Sequence, residues 1–473
     1  MDRQRNRARG VVMGFVVIGV AATTAVGQVQ KVPTFEDPIT FGAGVGSPYG
    51  LASADFLDAN GNPGQDGYPE IAVAGAGLNL LDNCDQIAVD HSLKIFHNTG
   101  TWDTNPTGAL VQHQVLNIAS GKTATELAFA DVTGSGHPDL VLLGFQPDLG
   151  EGYLWVYQNL GNGTFQSSPD EFPMDVSVRG LVTVDLDGDG DIDIAAAGSN
   201  CDNTGSATER FVVFENATFN GVLSFDAQIE QIATGTDTAP GDIVVGDFYA
   251  LSAGDSFQDL VTSNPLDPSY TKIRNLGQLQ FVPTTAANSG CSSDWSFITA
   301  ASAKFGTDSW WDFAAVDFDD LFLGVFKGNQ LAQFTSFCDD PALGYQLLPT
   351  TDPDNAFVRA HGIDSGNLNG GPGVDLVVTL YELEVASTEG PEWVSAVAVL
   401  LGKADGTFQV PTAQTAYIFR TDGPGVVGGA ALVEVVDLDA DGFDDIVVSN
   451  NYSDALNDNF SVLINKMVVA IGF

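Results

Sequence analysis

Short apolar runs alternate with acidic loops along most of the chain. The clearest loop is residues 185–193, Asp-Leu-Asp-Gly-Asp-Gly-Asp-Ile-Asp, which lies between the apolar runs 181–184 and 194–197. A further apolar run at 211–214 is followed closely by Asn216. Apolar runs of roughly four to eight residues, bounded by turn residues and without a helical period, are typical of β-strands. The pattern therefore predicts short β-strands joined by acidic connections.

The same pattern recurs seven times. An apolar run leads into an acidic loop, a second apolar run leaves the loop, and a third ends in a turn with Asn, Gly and Phe. The loops begin at residues 55, 131, 185, 247, 304, 367 and 437, so successive copies are 54 to 76 residues apart. Each copy predicts three or four strands, and a sheet of that size cannot bury its faces without neighbours.

Small sheets that repeat radially pack face to face around an axis and hide most of their edges. We therefore predict an all-β fold, a seven-bladed β-propeller of four-stranded antiparallel blades, formed by residues 28–473 as a single domain. An open solenoid is the alternative. We expect segment 35–41 to close the ring beside residues 460–464. Alternatively, residues 467–471 do so and the N-terminal segment forms an outer flap.

Carboxylates at positions 1, 3, 5 and 9 of the loop at 185–193 indicate a hard divalent cation. Calcium takes roughly six to eight oxygen ligands, and alternate side chains of a tight loop can converge on it with a carbonyl from position 7. Gly190, at position 6, permits the left-handed backbone that such a loop needs. An EF-hand is excluded, because it requires a Glu at position 12 and flanking helices, whereas Ala196 lies there in a strand-like run.

These loops and their flanking strands resemble the FG-GAP/VCBS-type repeat family, whose best-known members form the seven-bladed propeller of integrin α subunits. The resemblance covers nearly the whole chain after residue 27, and its specific part is the nine-residue acidic loop. It implies calcium between the first and second strands of a blade. The implied ligands are the side chains of Asp185, Asp187, Asp189, Asp193, Asp437, Asp439, Asp441 and Asp445, and the carbonyls of Asp191 and Phe443.

The remaining copies carry parts of this pattern. The weaker candidate ligands are Asn367, Asn369 and Asp375 in copy six, Asp131 and Asp139 in copy two, Asp55, Asp58, Asn60, Asp66 and Glu70 in copy one, and Asp247, Asp255 and Asp259 in copy four. Copy five has Lys304 at position 1, opposite Asp308 and Asp312. We hypothesise that its ammonium replaces the ion as an internal counter-charge. The alternative is a solvated lysine in a decayed loop.

The N-terminus has the features of a secretory signal. Four arginines precede an apolar stretch at 11–22, and the small residues at 25–27 suit cleavage. We expect a signal peptide over residues 1–27 and a secreted chain, at the cell surface, in the periplasm or outside the cell. An uncleaved membrane anchor is the alternative. No other apolar run approaches eighteen residues.

The chain contains four cysteines, which permit two disulfides in an exported protein and three possible pairings. None has CxxC spacing, so the sequence supports neither a zinc site of that type nor a redox motif. We favour a Cys291–Cys338 pair, because both residues flank the fifth copy.

The charge and the motifs limit the function. A net charge of −44 repels nucleic acid and acidic membrane surfaces, so neither is an expected partner. The five histidines show no paired spacing, and no GxSxG or GxxxxGK motif is present, so no catalytic residues are assigned. We expect a calcium-stabilised binding or adhesion module for a protein or polysaccharide ligand. A polysaccharide lyase-like, carbohydrate-active enzyme and a structural envelope protein are the alternatives.

Overall fold

The structure is a computed structural model of the chain. It describes residues 33–45, 48–75, 92–118, 121–146, 151–174, 177–199, 209–232, 241–249, 257–264, 269–287, 297–317, 321–329, 333–337, 339–347, 359–387, 390–409, 417–421, 429–451 and 459–466. The predicted signal peptide, the alternative closing segment at 467–471, Asp255 and the proposed Cys291–Cys338 pair lie outside the described residues.

The described strands form seven antiparallel blades, which confirms the prediction of an all-β, seven-bladed propeller. In each blade the first strand lies innermost and the following strands lie progressively further out. Blades 1 to 3 contain β2 (Pro48–Ala54), β3 (Glu70–Gly75), β4 (Ser92–Asn98) and β5 (Leu110–Asn117), then β6 (Thr123–Ala130), β7 (Asp139–Gln146), β8 (Glu151–Tyr157) and β9 (Asp170–Met174), then β10 (Ser177–Val184), β11 (Asp193–Ser199), β12 (Glu209–Asn216) and β13 (Phe225–Ile232).

Blade 5 departs from four strands, because its outer edge is divided between two short strands that both pair with β20. Blades 4 to 6 contain β14 (Asp242–Gly246), β15 (Asp259–Asn264), β16 (Ser269–Asn275) and β17 (Phe281–Ala287), then β18 (Phe297–Ala303), β19 (Asp312–Asp317), β20 (Phe322–Gly328), β21 (Phe334–Ser336) and β22 (Gly344–Gln346), then β23 (Arg359–Gly366), β24 (Asp375–Ser387), β25 (Gly390–Leu400) and β26 (Tyr417–Arg420).

Blade 7 closes the ring with both ends of the described chain. It consists of β27 (Gly429–Val436), β28 (Asp445–Asn451), β29 (Asn459–Leu463) and, as its fourth strand, β1 (Ile39–Gly42). Ile39 is opposite Val462, and Phe41 is opposite Phe460. The N–H of Lys466 donates to the carbonyl of Thr34 at 2.7 Å, which extends the pairing beyond β29. The prediction that the N-terminal segment completes blade 7 is confirmed.

Packing between blades explains why the second strands are apolar at consecutive positions. Each face of such a strand contacts a different neighbouring blade. In β11, Ile194 and Ala196 pack in one cluster with Val141 and Leu143 of blade 2. Ala195 and Ala197, on the opposite face, pack in another cluster with residues of blade 4. Each fully buried Val, Leu or Ile side chain contributes roughly 1.5–3 kcal/mol. The core is therefore a ring of interfaces between blades.

Helical structure is sparse in the described residues. It is limited to two short 3₁₀ helices, Pro106–Gly108 and Pro341–Leu343. No helix in the described part of the chain has the length and apolar character needed to cross a membrane.

Candidate metal-binding loops

The last residue of the acidic loop is a buried carboxylate in all seven copies. These residues are Glu70, Asp139, Asp193, Asp259, Asp312, Asp375 and Asp445. In blade 3, one oxygen of Asp193 accepts the N–H of Leu186 at 2.8 Å, and the other accepts the N–H of Asn216 at 2.8 Å. Asp445 accepts the N–H groups of Leu438 and Asn465 in the same way. Each of these carboxylates thus ties the start of its loop to the end of the third strand.

Burial strongly affects the ionisation of these carboxylates. Removal from water raises the pKa of Asp193 to about 6 and that of Asp312 and Asp375 to about 7, although the backbone N–H groups act in the opposite direction. An ionised, buried carboxylate is costly unless donors or a cation compensate it. A divalent ion close to this position would therefore favour the ionised form.

The loop of blade 3 brings three carboxylates together. Asp185, Asp187 and Asp193 each offer an oxygen atom, and these atoms lie within 4.8 Å of one another. The N–H groups of Gly188 and Gly190 donate to Asp185, so the backbone curls around this side chain. The φ of Gly190 is 100°, a conformation that residues with a Cβ rarely adopt. Asp189 and Asp191 are exposed at the tip of the loop.

The loop of blade 7 forms a second cluster of the same kind. Oxygen atoms of Asp437, Asp439 and Asp441 lie within 4.8 Å of one another. The side chain of Asp439 is 7 % exposed, and its Oδ1 is buried without a hydrogen-bond partner. Hard oxygen donors of this type suit Ca²⁺, and an unsatisfied buried carboxylate oxygen fits a ligand atom that lacks its ion. The residues of both loops therefore fit calcium, while the carbonyl roles of Asp191 and Phe443 stay predictions.

A lysine at the end of blade 7 contacts one of these carboxylates. The ammonium of Lys466 lies 2.6 Å from Asp439 Oδ2 and 3.1 Å from Asp103 Oδ1, which belongs to blade 1. Lys466 directly follows Asn465, whose backbone N–H donates to Asp445. Sequence reasoning missed this contact, because residue 466 lies outside the repeated loop pattern.

The loops of blades 2 and 6 keep the backbone geometry with fewer carboxylates. Asp131 accepts the N–H groups of Ser135 and Gly136, as Asp185 does for its own loop. In blade 6 the amide of Asn369 donates to Asp375 Oδ1 at 3.2 Å, so the amide nitrogen faces this carboxylate. The ligand roles of Asp131, Asp139, Asn367, Asn369 and Asp375 stay predictions.

Blade 4 contains a buried cation beside its loop. The ammonium of Lys272 donates to the carbonyl of Phe248 at 3.0 Å and lies 3.8 Å from the ring centroid of Tyr249. Lys272 is only 6 % exposed, and desolvation lowers its pKa to about 8 while the negative charge of Asp259 opposes that shift. A positive charge therefore lies beside the loop where the sequence indicated Asp247 and Asp259 as ligands, and the ligand roles of these two residues stay predictions.

Blade 5 does not place its lysine between the loop carboxylates. Lys304 is exposed, and its ammonium lies 5.7 Å from the ring centroid of Trp311. Asp312 instead accepts the N–H groups of Phe305 and Gly328, and Asp308 accepts that of Trp310. We hypothesised that Lys304 is an internal counter-charge in blade 5. The buried lysine that lies near a loop carboxylate is instead Lys272, in blade 4.

Asparagines at the ends of the third strands link neighbouring blades. The amide of Asn216 in blade 3 donates to the carbonyls of Ile192 in its own blade and Val132 in blade 2, at 2.9 and 2.8 Å. The equivalent links to the preceding blade run from Asn275 to Leu186, from Asn465 to Leu368 and from Asn98 to Leu438. Blades 5 and 6 have Gly328 and Gly402 at this position. The recurring Asn was visible in the sequence, but its acceptor in another blade was not.

Exposed apolar side chains lie at the turns between third and fourth strands in three consecutive blades. Leu160 in blade 2 is 57 % exposed, Phe219 and Val222 in blade 3 are 75 % and 70 % exposed, and Leu276 in blade 4 is 47 % exposed. In an antiparallel blade these turns lie at the same end as the acidic loops. We call these four residues the apolar arc.

Comparisons with known proteins give one family match and a set of similar solved structures. Residues 131–196 match a family model described as an FG-GAP-like repeat, and this segment runs from the loop of blade 2 into β11. No curated protein matches the sequence. Similar solved structures include the Dos1 propeller, with 10% identity, 91% of this chain and 95% of that chain covered, and a TM-score of 0.43.

Another similar structure is a lectin from Agrocybe aegerita that specifically recognises non-reducing terminal N-acetylglucosamine. It has 18% identity and a TM-score of 0.44, with 91% of this chain and 94% of that chain covered. The repeat match over residues 131–196 and the seven blades agree with the predicted resemblance to FG-GAP-type propellers. The chain is a seven-bladed β-propeller that contains an FG-GAP-like repeat.

Proposed function

We propose that this chain is a secreted, calcium-binding β-propeller that acts as a binding or adhesion module for a protein or polysaccharide ligand. The observation that carries the proposal is the convergence of three carboxylates in each of two loops, with a buried, unsatisfied oxygen on Asp439. The signal-like residues 1–27 support export, where calcium is abundant.

The role of calcium in this proposal is to stabilise the loops. In the metal-free chain, burial raises the pKa of Asp187 and of Asp441, and neighbouring carboxylates add to both shifts. A bound ion relieves that repulsion and joins the loop between the first two strands of a blade. Extracellular calcium modules have dissociation constants of about 10⁻⁴–10⁻³ M. At ten times such a constant, each site adds about 1.4 kcal/mol to the stability of the folded state.

The apolar arc supports a ligand site at the loop end of blades 2 to 4. Exposed apolar side chains in consecutive blades favour contact with another molecule over contact with water. Phe219 can stack on the apolar face of a sugar ring or pack against a protein side chain. Acidic loop residues such as Asp189 and Asp191 lie at the same end, so a ligand that also carries positive groups is favoured there.

A glycan and protein array tests the ligand proposal, with calcium present throughout. We expect binding of at least one ligand class, and we expect the double variant Phe219→Ser, Val222→Ser to weaken that binding while the melting temperature is unchanged. Val115→Ser, at an exposed position on the outer strand β5, is the matched control and keeps full binding. Unchanged binding by the double variant contradicts the assignment of this face.

The same array distinguishes the binding module from a carbohydrate-active enzyme. Each glycan that binds is incubated with the chain, and its products are separated by size. We expect intact glycan after long incubation. Accumulation of shortened products by the calcium-loaded chain would establish the lyase-like alternative instead.

A further inference from the structure

A lysine side chain joins the acidic loop of blade 7 to blade 1. The ammonium of Lys466 lies 2.6 Å from Asp439 Oδ2, in the loop, and 3.1 Å from Asp103 Oδ1, in the turn between β4 and β5 of blade 1. The side chain of Asp439 is 7 % exposed, whereas that of Asp103 is 86 % exposed. Because water and salt screen an exposed pair more than a buried one, the contact with Asp439 is the stronger of the two.

The backbone of Lys466 is fixed by the strand pairing that closes the ring. Its N–H donates to the carbonyl of Thr34 at 2.7 Å, and the hydroxyl of Thr34 donates to the carbonyl of Lys466 at 2.6 Å. The preceding residue, Asn465, donates its N–H to Asp445, the last carboxylate of the same loop. The lysine side chain therefore starts from a fixed point beside the loop.

Blade 3 provides a comparison within the chain. The residue that corresponds to Lys466 is Ala217, since each directly follows the asparagine at the end of a third strand and each donates its N–H to the segment that continues the blade. Burial and neighbouring carboxylates raise the pKa of Asp187 in blade 3. They also raise the pKa of Asp441 in blade 7, but there the positive charge of Lys466 opposes the shift. The two calcium loops thus differ in one nearby cation.

We propose that Lys466 competes with calcium for Asp439, lowers the calcium affinity of blade 7 and replaces the ion as counter-charge when calcium is scarce. This inference rests on the proposed calcium binding of the loop. Asp439 Oδ1 is buried without a hydrogen-bond partner, so it stays available as a ligand atom while the ammonium holds Oδ2. A nearby ammonium repels a divalent ion, and that repulsion lowers the affinity. Lys466 is therefore an affinity-determining residue of blade 7.

Calcium titration by calorimetry tests the competition in chains that keep one of the two loops. In the Asp187→Asn background, which keeps the loop of blade 7, we expect Lys466→Met to tighten calcium binding by about 5-fold or more, because one nearby positive charge is removed. Lys466→Arg keeps the charge and should keep the affinity of the parent. In the Asp439→Asn background, which keeps the loop of blade 3, Lys466→Met is the matched control and should leave the affinity unchanged.

The converse substitution, Ala217→Lys, provides the test if Lys466→Met does not fold. In the Asp439→Asn background it brings an ammonium to the loop of blade 3 and should weaken calcium binding by about 5-fold or more, whereas Ala217→Met should not. Far-ultraviolet circular dichroism verifies that each variant folds. Thermal unfolding gives a second readout: Lys466→Met should lower the melting temperature more in chelator than in saturating calcium, because only the ion-free loop loses its counter-charge.

The outcomes separate this inference from the proposed function. If the parent chains bind calcium but Lys466→Met leaves the affinity of blade 7 unchanged, or changes that of blade 3 equally, the competition is overturned and the calcium sites stand. An Ala217→Lys chain with the affinity of its parent overturns it as well. If neither parent binds calcium, the proposed function is overturned and this inference with it.

Discussion

Buried carboxylates have two roles in this propeller, and the difference lies in their partners. Asp193 and Asp445 have both oxygens occupied by backbone N–H groups, so they hold strands together even without an ion. Asp187 and Asp439 lie earlier in the loops, and Asp439 retains an oxygen without a hydrogen-bond partner. The sequence alone shows aspartates at positions 1, 3, 5 and 9 of each loop. It does not show that the ninth also accepts an N–H group from the end of a third strand, 20 or more residues away.

Carboxylates on the innermost strands provide a pH test at the residue scale. Asp364 accepts the N–H of Val435 across blades 6 and 7, and burial, with the nearby charge of Glu434, raises the pKa of Asp364 to about 8. An unfolded chain releases this proton near 3.8, whereas the folded chain keeps it until about pH 8. The folded state therefore binds more protons over this range, and its stability falls as the pH rises from about 4 to about 8.

We predict that Asp364→Asn raises the melting temperature relative to the unmodified chain at pH 8 and changes it little at pH 5. The neutral amide resembles the protonated acid and avoids the cost of a buried charge. Thermal unfolding at a series of pH values, at constant calcium concentration, measures the difference. Asp37→Asn, at an exposed position, is the control. An Asp364→Asn chain that is equally destabilised at both pH values would show that the hydrogen bond, not the charge, dominates.

Neighbouring blades are joined at the loop end by amide side chains of the third strands. Asn216 provides two donors to carbonyls, one of them in blade 2. We predict that Asn216→Ala lowers the free energy of unfolding by about 1–3 kcal/mol, because one buried and one partly buried carbonyl lose a donor. Urea denaturation measures this loss. Asn117→Ala, at an exposed position on β5, should change stability by less than about 0.5 kcal/mol. Equal stability of both variants would contradict the role of the amide.

The elements themselves were accessible from the sequence, because apolar runs of strand length and acidic turns recur in register. The paired runs around residues 185–193 became β10 and β11, and segment 35–41 contains most of β1, which closes blade 7. Contacts between elements were not accessible. Lys272 and His97 lie on third strands and contact the acidic loops of their own blades. The alternation of apolar and polar residues along a strand predicts only which side chains are buried, not which loop they contact.

At the scale of the whole molecule, the ring depends on a strand from the other end of the chain. Phe41 of β1 stacks on Phe460 of β29 at 5.4 Å between ring centroids and meets the edge of Trp102 at 6.1 Å. We predict that Phe41→Ala lowers the free energy of unfolding by about 3–5 kcal/mol, the usual cost of removing a buried phenylalanine side chain. The substitution also weakens the pairing of β1 with β29. Because an unpaired strand edge can pair with another chain, oligomers should appear in size-exclusion chromatography.

Phe219→Ala is the matched control for closure, because this phenylalanine is 75 % exposed and should contribute little to stability. Both variants are compared by denaturant unfolding at the same protein concentration. Similar stability of the two would mean that β1 is dispensable for the closed ring.

Calcium titration by calorimetry, combined with thermal unfolding of the chelator-treated chain, tests the central claim that bound calcium holds the loops of blades 3 and 7. We predict that millimolar calcium raises the melting temperature, and that Asp187→Asn and Asp439→Asn each reduce the number of bound ions by one. Equal melting temperatures with calcium and with chelator, or an unchanged number of ions in both variants, would contradict it.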